Sequence, residues 1–426
     1  MAMSSHREGP FPNLDAYRGI GMLLVMTNHV TFATNMRGRH PELNQFLART
    51  DVGVPMFFLV SGFLIFRPFA AALLTDRSWP SIRSYARNRA VRIMPAYWVA
   101  LVGVMIWFGI PVVTGAGIFD HQPAGPIAFY ALLLQTFSAQ SVFKGFGEFD
   151  QSWSIGAEAT FYVAVPFLAV AARGLISRLP TPKRLAPLLW CCAGLWLIGH
   201  VWRIGLVQFA PSWGPSGAFW LPAHIDFFAI GMAMALWSVA AKNGTPLPRF
   251  IEILGRRPWL SWLCGFTAWL VVVNPGGHLP LLTIRPSPLL FTYEYVVKLF
   301  FYGIFGLFFV LPAIFGPQQD GLIRAVLGSR IMVALGAVSL GFYLWHKAWL
   351  SQAERWTNAQ PFQGSFVQIW LITLAGGLAC GIACHFLIER PLMKRKPTQI
   401  VGRATSATAL TLPVTTDSTD TGHVVA

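Results

Sequence analysis

Long apolar stretches separated by short polar connections recur along the whole chain. Each stretch has about 20 residues, the length that an α-helix needs to cross the hydrocarbon core of a bilayer. Barrel strands need only about ten residues, so the pattern predicts an all-α, polytopic transmembrane bundle with about ten spans. The expected spans cover residues 14–35, 52–74, 93–114, 153–173, 186–207, 221–241, 257–273, 290–313, 331–352 and 366–388.

One further apolar segment, residues 126–143, is too short for a full span. A crossing there would invert the sidedness of every later basic loop, so we expect a re-entrant or interfacial helix on the outer side. The expected organisation is a cytoplasmic N-terminal segment at residues 1–13 and a transmembrane domain at residues 14–390. Residues 391–426 are expected to be a disordered cytoplasmic tail, because their Thr- and Ser-rich sequence lacks apolar periodicity.

The composition supports membrane insertion. Of the 426 residues, 54% are hydrophobic and only 12% are charged, whereas a soluble domain carries about 25% charged residues. A soluble globular protein is therefore excluded. The five cysteines are odd in number and lie in apolar stretches, which argues against a disulfide framework.

The net charge is strongly positive, with 32 Lys and Arg against 17 Asp and Glu. In a soluble protein this balance would suggest nucleic-acid binding, but here the basic residues lie in short loops, so no nucleic-acid partner is expected. With the N-terminus in the cytoplasm, roughly 23 basic residues lie inside and about 9 outside. The sequence therefore predicts a multi-pass protein of the cell membrane with both termini inside.

Charged residues within a bilayer are costly unless they face a cavity or a partner, so they are candidate functional residues. In span one, Arg18 and His29 are eleven positions apart and share one helical face, roughly 16 Å apart along the axis. In span four, Glu158 is expected at the depth of His29, where it would orient the imidazole as a general base. The alternatives are a snorkelling arginine with a core histidine, and a structural ion pair for the carboxylate.

Two further segments carry candidate chemistry. In span nine, Tyr343 and His346 share a helical face and form a second polar wall at the same depth, unless they are interfacial anchors. Arg89 and Arg92, which lead into span three, offer bidentate donors for phosphate, although membrane topology alone could account for them.

Together these segments resemble the acyltransferase 3 family of integral membrane acyltransferases, and the match runs in order over about residues 11–392. Its carriers are Leu14-Asp15-x-x-Arg18-Gly19 with Arg18-x₁₀-His29, the run Phe57 to Ile65, Arg89-x-x-Arg92-x-x-Pro95, Trp153-Ser154-x-x-x-Glu158-x-x-Phe161-Tyr162, Tyr343-Leu344-Trp345-His346 and Glu389-Arg390-Pro391.

The resemblance implies a ten-helix transmembrane core that uses cytoplasmic acyl-CoA, usually acetyl-CoA, as the acyl donor. The acceptor would be a hydroxyl of a cell-envelope sugar, glycolipid or related molecule, often on the outer side. No fused SGNH-type domain is expected. The family match does not specify the acceptor, the acyl chain length or the oligomeric state.

The residues and the resemblance lead to one hypothesis for the site. The CoA phosphates dock at Arg18, Arg89 and Arg92, and the pantetheine arm extends along span one to His29. This histidine, oriented by Glu158, either deprotonates the acceptor hydroxyl or carries the acyl group itself. The candidate oxyanion stabilisers are Tyr162, Tyr343 and His346, and no metal is expected.

Two other classes of function remain open from the sequence. A transporter or flippase for a glycolipid or acylated sugar would also place charges within the membrane, although no paired repeats with broken helices are evident. A non-catalytic membrane partner or sensor would tolerate changes to Arg18 and His29 without loss of acyl product.

Overall fold

The computed structural model describes residue 11 and residues 13–75, 77–108, 125–137, 147–209, 214–279, 292–359 and 362–394. These residues form helices and turns, without any strand among them. The long helices are α1 Leu14–Ala33, α2 Gly53–Leu74, α3 Ile82–Phe108, α4 Trp153–Ile176, α5 Leu185–Phe209, α6 Ile225–Lys242, α7 Pro258–Val273, α8 Tyr293–Val310, α9 Arg330–Trp356 and α10 Phe366–Cys384. Short helices lie at Met36–Arg39, Pro41–Leu47, Gly125–Ala131, Gly214–Gly217, Arg249–Arg256, Leu322–Leu327 and Arg390–Lys394, and a π-helical turn at His385–Glu389.

Within the described residues, eight helices are long and apolar enough to cross a bilayer. The other two expected spans are helical but differ in character. Helix α7 is apolar but has only 16 residues, and α1 contains Arg18, Asn28 and His29, which lower its hydropathy. The predicted all-α membrane bundle is therefore confirmed, whereas the count of ten spans and the orientation of the termini stay predictions.

Two predicted boundaries need comment. Helix α3 begins at Ile82, eleven residues before the expected start of span three, so its basic residues lie within the helix rather than ahead of it. The expected interfacial segment at 126–143 forms two short pieces, Gly125–Ala131 and Gln135–Phe137, and its remaining residues from 138 onward lie outside the described part. Residues 109–114, most of the segment 1–13, and the tail from residue 395 also lie outside it.

Small residues allow the helices around the bundle centre to touch backbone to backbone. A Cβ atom on Gly62 of α2 would collide with the Phe228 backbone of α6, and one on Gly231 would collide with the Leu59 carbonyl oxygen. In a bilayer, such close packing supplies much of the attraction between helices. The run Phe57 to Ile65 therefore packs one face of α2 tightly against α6.

Helix α1 is fixed in the same way against α9. Gly336 of α9 lies against the backbone carbonyl of Asp15, so even a methyl group at this position would clash. On the other side of the contact, a Cβ on Gly19 would lie 3.0 Å from the Leu335 Cβ. The relative position of α1 and α9 is therefore determined by backbone contact rather than by adjustable side chains.

A buried ion pair joins α5 to α6. Arg203 Nη1 and Nη2 donate to Asp226 Oδ1 and Oδ2 at 2.9 and 2.8 Å, and both side chains are fully buried. Arg203 Nη1 also donates to the Ala223 carbonyl oxygen at 2.6 Å. Gly199 makes room for the carboxylate, since a Cβ there would lie 3.1 Å from Asp226 Oδ1. Each of the two charges compensates the other, whereas either one alone would have a high free-energy cost within a membrane.

The long helices give the bundle two distinct ends. We call the end that carries Arg18, Arg89 and Arg92 the Arg end, and the end that carries His29 and His346 the His end. Helices α1, α3 and α9 run from the Arg end to the His end, whereas α2 and α4 run in the opposite direction.

Candidate active site

Two histidines from distant parts of the chain meet at the His end. Nδ1 of His29 on α1 lies 2.8 Å from Nε2 of His346 on α9, and the two rings are parallel to within 3°. On its other side, Nδ1 of His346 lies 2.7 Å from the backbone carbonyl oxygen of Tyr343. The two candidate histidines, which the sequence placed at a common depth, therefore form one pair.

The hydrogen bonds around this pair determine the tautomer of each neutral imidazole. A carbonyl oxygen can only accept, so Nδ1 of His346 carries its proton and Nε2 has a lone pair. Nδ1 of His29 must then donate across the 2.8 Å contact, which leaves Nε2 of His29 unprotonated. The His29 side chain is partly exposed, and this unprotonated nitrogen is a candidate base.

Tyr343 lies between the histidine pair and a cavity in the centre of the bundle. Its hydroxyl group lies 2.7 Å from the Ser154 hydroxyl and donates to the Gln151 carbonyl oxygen at 3.0 Å. The Gln151 amide in turn donates to the Leu344 carbonyl oxygen at 2.8 Å. These contacts clamp the beginning of α4 onto α9 and hold the tyrosine ring in one position.

Glu158 lies one helical turn beyond Ser154 along α4, toward the Arg end. Its Oε1 accepts hydrogen bonds from the Ser61 hydroxyl of α2 and, at 2.6 Å, from the Tyr162 hydroxyl. The prediction that Glu158 orients His29 is therefore wrong. The helical turn Gly147–Ser152 occupies the His end before α4 begins, and this displaces Glu158 toward the arginines.

Three arginines and Glu158 line the Arg end of the cavity. Arg18, Arg89 and Arg92 come from α1 and α3. The Arg89 guanidinium lies 5.9 Å from the centre of the Tyr162 ring, and its buried Nε atom has no hydrogen-bond partner among the described residues. Arg18 also lies 3.9 Å from the Asp15 carboxylate outside the lining. The cavity lining itself carries three guanidinium groups and one carboxylate, so this end is suited to bind an anion with several oxygen atoms.

The cavity extends from these arginines toward the histidines. Its empty volume is about 790 Å³, including space that is open to solvent. One face of α2 forms a largely apolar wall, with Val54, Phe57, Phe58, Ser61, Leu64 and Ile65. At the His end the lining includes Val54, Ser154 and Tyr343, whereas His29 and His346 lie beyond the lining residues.

The structure adds three polar residues to which the sequence analysis assigned no role. Ser61 holds Glu158, and Ser154 and Gln151 hold Tyr343. Ser61 and Ser154 are small polar residues in otherwise apolar stretches, a signal that could have marked them as candidates. Their partners were not predictable, because they lie on helices that are distant in the sequence.

The part of the chain that the structure describes contains no group of three or more His, Cys, Asp and Glu residues that could hold a metal ion. His224 and Asp226, at the beginning of α6, have structural contacts. The Asp226 carboxylate pairs with Arg203, and the His224 ring is surrounded by aromatic rings, including Phe58 and Trp153 with centroids 5.3 and 5.2 Å away.

The amino-acid sequence of the chain is similar to those of several known proteins. The chain is 24% identical to acyltransferase MdmB of Streptomyces mycarofaciens, in an alignment that covers 90% of this chain and 92% of that protein. It is 25% identical to exopolysaccharide production protein ExoZ of Rhizobium meliloti, with 84% and 92% covered. It is 23% identical to peptidoglycan O-acetyltransferase OatA of Listeria monocytogenes, with 79% of this chain and 48% of that protein covered.

No solved structure matches the chain significantly. The family described as an acyltransferase domain matches residues 11–389, which include every candidate site residue. The chain therefore belongs to the acyltransferase 3 family, and the protein is an integral membrane acyltransferase.

Proposed function

We propose that this acyltransferase takes an acyl group from acyl-CoA, usually acetyl-CoA, and transfers it to a hydroxyl of a cell-envelope sugar, glycolipid or related acceptor. One observation carries the proposal. A single cavity has three arginines at one end, and its other end approaches a histidine pair with an available base. The proposed orientation in the cell membrane places the Arg end in the cytoplasm, where acyl-CoA is found.

The Arg end suits the phosphates of the donor. CoA carries several phosphate groups, and the planar guanidinium groups of Arg18, Arg89 and Arg92 bind phosphate oxygens in pairs. Arg18 and His29 are eleven positions apart on one helix, a distance of roughly 16 Å along the axis. The extended pantetheine arm spans this distance, so a thioester anchored at the arginines reaches the histidine pair.

The free Nε2 of His29 supports direct transfer to the acceptor. The acceptor hydroxyl gives its proton to this nitrogen while its oxygen bonds to the thioester carbonyl carbon. The carbon–sulfur bond then breaks, and the CoA thiolate leaves and takes the proton back from the imidazolium. The hydrogen bond to His346 keeps the His29 ring in the tautomer that this step needs.

Tyr343 is the candidate that best fits the role of oxyanion stabiliser. Both nitrogens of His346 are engaged, with His29 and with a carbonyl oxygen. The Tyr162 hydroxyl donates to Glu158 near the Arg end. Tyr343 lines the cavity one turn before His346, and its hydroxyl proton, which is donated to the Gln151 carbonyl oxygen in this structure, would have to turn to the thioester oxygen when the donor binds.

The names of two relatives support the acceptor class, because they refer to exopolysaccharide production and peptidoglycan O-acetylation. Both names refer to polymers of sugars, which carry many hydroxyl groups. A sugar hydroxyl in the cell envelope is therefore the acceptor that we propose.

Two measurements test the proposal together. Mass spectrometry of envelope glycans and lipids should find an acylated species that disappears when the gene is deleted and returns with the wild-type copy. Purified protein in lipid nanodiscs should bind radiolabelled acetyl-CoA. An unchanged envelope together with no acetyl-CoA binding would contradict the proposal, and movement of a sugar lipid without release of free CoA would favour a transporter.

The route of transfer has its own test. Purified protein is incubated with acetyl-CoA labelled in the acetyl group, without acceptor, and is then separated from free label. We expect no stable label on the protein, because direct transfer needs the acceptor. Label that remains on wild-type protein but not on the His29→Ala variant would instead show a covalent acyl-histidine.

A further inference from the structure

Beyond the arginines, on the side away from the histidines, two aromatic rings flank the Phe69 ring of α2. The Tyr85 ring of α3 and the Trp79 ring contact it edge to face, with centroids 5.4 and 5.7 Å away. Phe69 is fully buried, whereas Tyr85 and Trp79 are half-buried. Phe69 follows Ile65, a residue of the cavity lining, by one helical turn toward the Arg end. These rings therefore lie just past the Arg end of the cavity.

The Tyr85 ring is held beside the proposed donor site. Its hydroxyl group donates to the Tyr162 carbonyl oxygen at 2.9 Å. Tyr162 lines the cavity, and its ring centre lies 5.9 Å from the Arg89 guanidinium. Tyr85 precedes Arg89 by four residues on α3, so the two side chains share one helical face. The Tyr85 ring is thus positioned before a ligand binds, which lowers the entropic cost of binding.

Trp79 differs from Tyr85 because a cation already covers one of its faces. The guanidinium of Arg173, at the end of α4, lies 5.2 Å from the centre of the Trp79 ring. A planar ligand that stacked on this face would have to displace the guanidinium. Of the two half-buried rings, Tyr85 is therefore the better platform, and it is also the one next to Arg89.

We propose that the Tyr85 ring binds the adenine base of CoA by stacking, so that the donor site recognises a nucleotide and not phosphopantetheine alone. This inference rests on the proposed function, in which the phosphates lie at the three arginines and the pantetheine arm extends to His29. In CoA, the adenosine and the pantetheine arm are attached to opposite ends of the diphosphate. The adenosine must therefore extend from the arginines away from the histidines, which is where Tyr85 lies.

The spacing along α3 suits such a ligand. Tyr85 precedes Arg92 by seven residues, roughly 10 Å along the helix axis, with Arg89 between them on the same face. Only a ribose separates the adenine from the diphosphate, so a base that follows phosphates bound at Arg89 and Arg92 lies beside the next turn of α3. Bases stack on aromatic side chains through their flat faces, without hydrogen bonds to the base edges. One fixed aromatic ring next to the phosphate site is therefore sufficient for this contact.

Binding of two donors to the intact protein in nanodiscs tests the inference. Radiolabelled acetyl-CoA and radiolabelled acetyl-4′-phosphopantetheine, which lacks the adenosine, are titrated onto wild type and onto the Tyr85→Ala, Tyr85→Leu and Tyr85→Phe variants. The control is Tyr293→Ala, which removes an exposed tyrosine of α8 whose hydroxyl also makes one hydrogen bond, to Gln208. Gel filtration in detergent identifies any variant that fails to fold.

We expect wild type and Tyr293→Ala to bind acetyl-CoA at least about fivefold more tightly than acetyl-4′-phosphopantetheine. Tyr85→Ala and Tyr85→Leu should bind acetyl-CoA about 5- to 140-fold more weakly than wild type, the range that stacking of one base contributes. Their affinity for acetyl-4′-phosphopantetheine should not change. Tyr85→Phe keeps the ring and should bind acetyl-CoA nearly as well as wild type. Acetyl-3′-dephospho-CoA, which retains the adenine, should respond to Tyr85→Ala as acetyl-CoA does.

Two results would overturn the inference while leaving the proposed function intact. One is an unchanged acetyl-CoA affinity in folded Tyr85→Ala and Tyr85→Leu. The other is an equal loss of affinity for both donors, which would mean that Tyr85 only supports the arginines through Tyr162. If wild type binds neither donor, the proposed function itself fails.

Discussion

The imidazoles of His29 and His346 are joined nitrogen to nitrogen at 2.8 Å, although 317 positions separate them in the chain. The bond connects the helix that carries Arg18 to the helix that carries Tyr343. Because the Tyr343 carbonyl oxygen accepts a hydrogen bond from Nδ1–H of His346, the direction of both hydrogen bonds is set. The carbonyl oxygen of another helix thereby determines which nitrogen of the neutral His29 ring lacks a proton.

Replacement of His29 by alanine should abolish most acyl transfer. A positioned base contributes about 10² to 10⁴ in rate, so the turnover rate should fall by this factor while acetyl-CoA binding is retained. The measurement is acylated product formed from labelled acetyl-CoA in membranes that contain the natural acceptor. His40→Ala, at an exposed position before the short helix Pro41–Leu47, is the matched control and should keep wild-type activity.

The companion variant His346→Ala should reduce turnover less, because the base remains but its tautomer and orientation are no longer set. The double variant should be no slower than His29→Ala, since residues that act as one unit do not contribute additively. Wild-type turnover in His29→Ala would exclude the proposed base.

Replacement of Arg89 or Arg92 by lysine should weaken acetyl-CoA binding. Lysine keeps the charge but loses the planar pair of donors, and Arg89 would also lose its contact with the Tyr162 ring. We expect a dissociation constant about tenfold higher, measured by equilibrium binding in nanodiscs. Arg83→Lys, at an exposed position of the same helix, is the control; equal affinity in all three variants would remove these arginines from the donor site.

Replacement of Glu158 by glutamine should affect the binding of the acyl donor more than the rate of the chemical step. The carboxylate holds Ser61 and Tyr162 beside the arginines and does not contact the histidine pair. Loss of a charge-assisted hydrogen bond corresponds to about 1.5 to 3 kcal/mol, so acetyl-CoA binding should change by roughly tenfold or more. Steady-state kinetics separate the two effects. A fall in kcat with an unchanged KM would indicate that Glu158 acts on the proposed base, His29.

The buried pair Arg203 and Asp226 should dominate the stability of the contact between α5 and α6. Asp226→Asn leaves a buried guanidinium without its counter-charge, which should cost about 3 to 5 kcal/mol and lower the apparent Tm in detergent. The control is Glu252→Gln, which breaks an exposed ion pair with Arg256 and should cost about 1 kcal/mol or less. Equal Tm values for the two variants would contradict this role.

The orientation of the bundle can be tested by reporter fusions. Fusions after residues 80, 180, 247, 320 and 400 should report the cytoplasm, and fusions near residues 42, 120, 212, 280 and 358 the outside. The position near residue 120 is decisive, because a cytoplasmic signal there would contradict the predicted topology.

The fold class could be predicted from the sequence because a bilayer leaves few alternatives. About 20 apolar residues that must satisfy their own backbone hydrogen bonds form a helix. The pairing of side chains was harder to predict, as Glu158 illustrates. Its depth was counted from the expected start of a span, but the turn at Gly147–Ser152 shifts it toward the Arg end.

The histidine pair illustrates the opposite outcome. Equal depth on two spans suggested that His29 and His346 could be near each other, but their contact also needs α1 and α9 to be neighbours. The close packing of α1 and α9 depends on a glycine, because Gly336 lies against the Asp15 backbone. Such contacts between distant positions are not visible in hydrophobic periodicity.

Arg18 and His29 lie on one continuous helix, so α1 itself determines the distance between them. The distance between Arg18, the proposed phosphate anchor, and His29, the proposed base, is set by eleven residues of helical rise, about 16 Å, and no movement between helices can alter it. One residue inserted between them would rotate His29 by about 100° away from His346 and leave the anchor in place. In the proposed function, the pantetheine arm of the donor must therefore match the length of this helical segment.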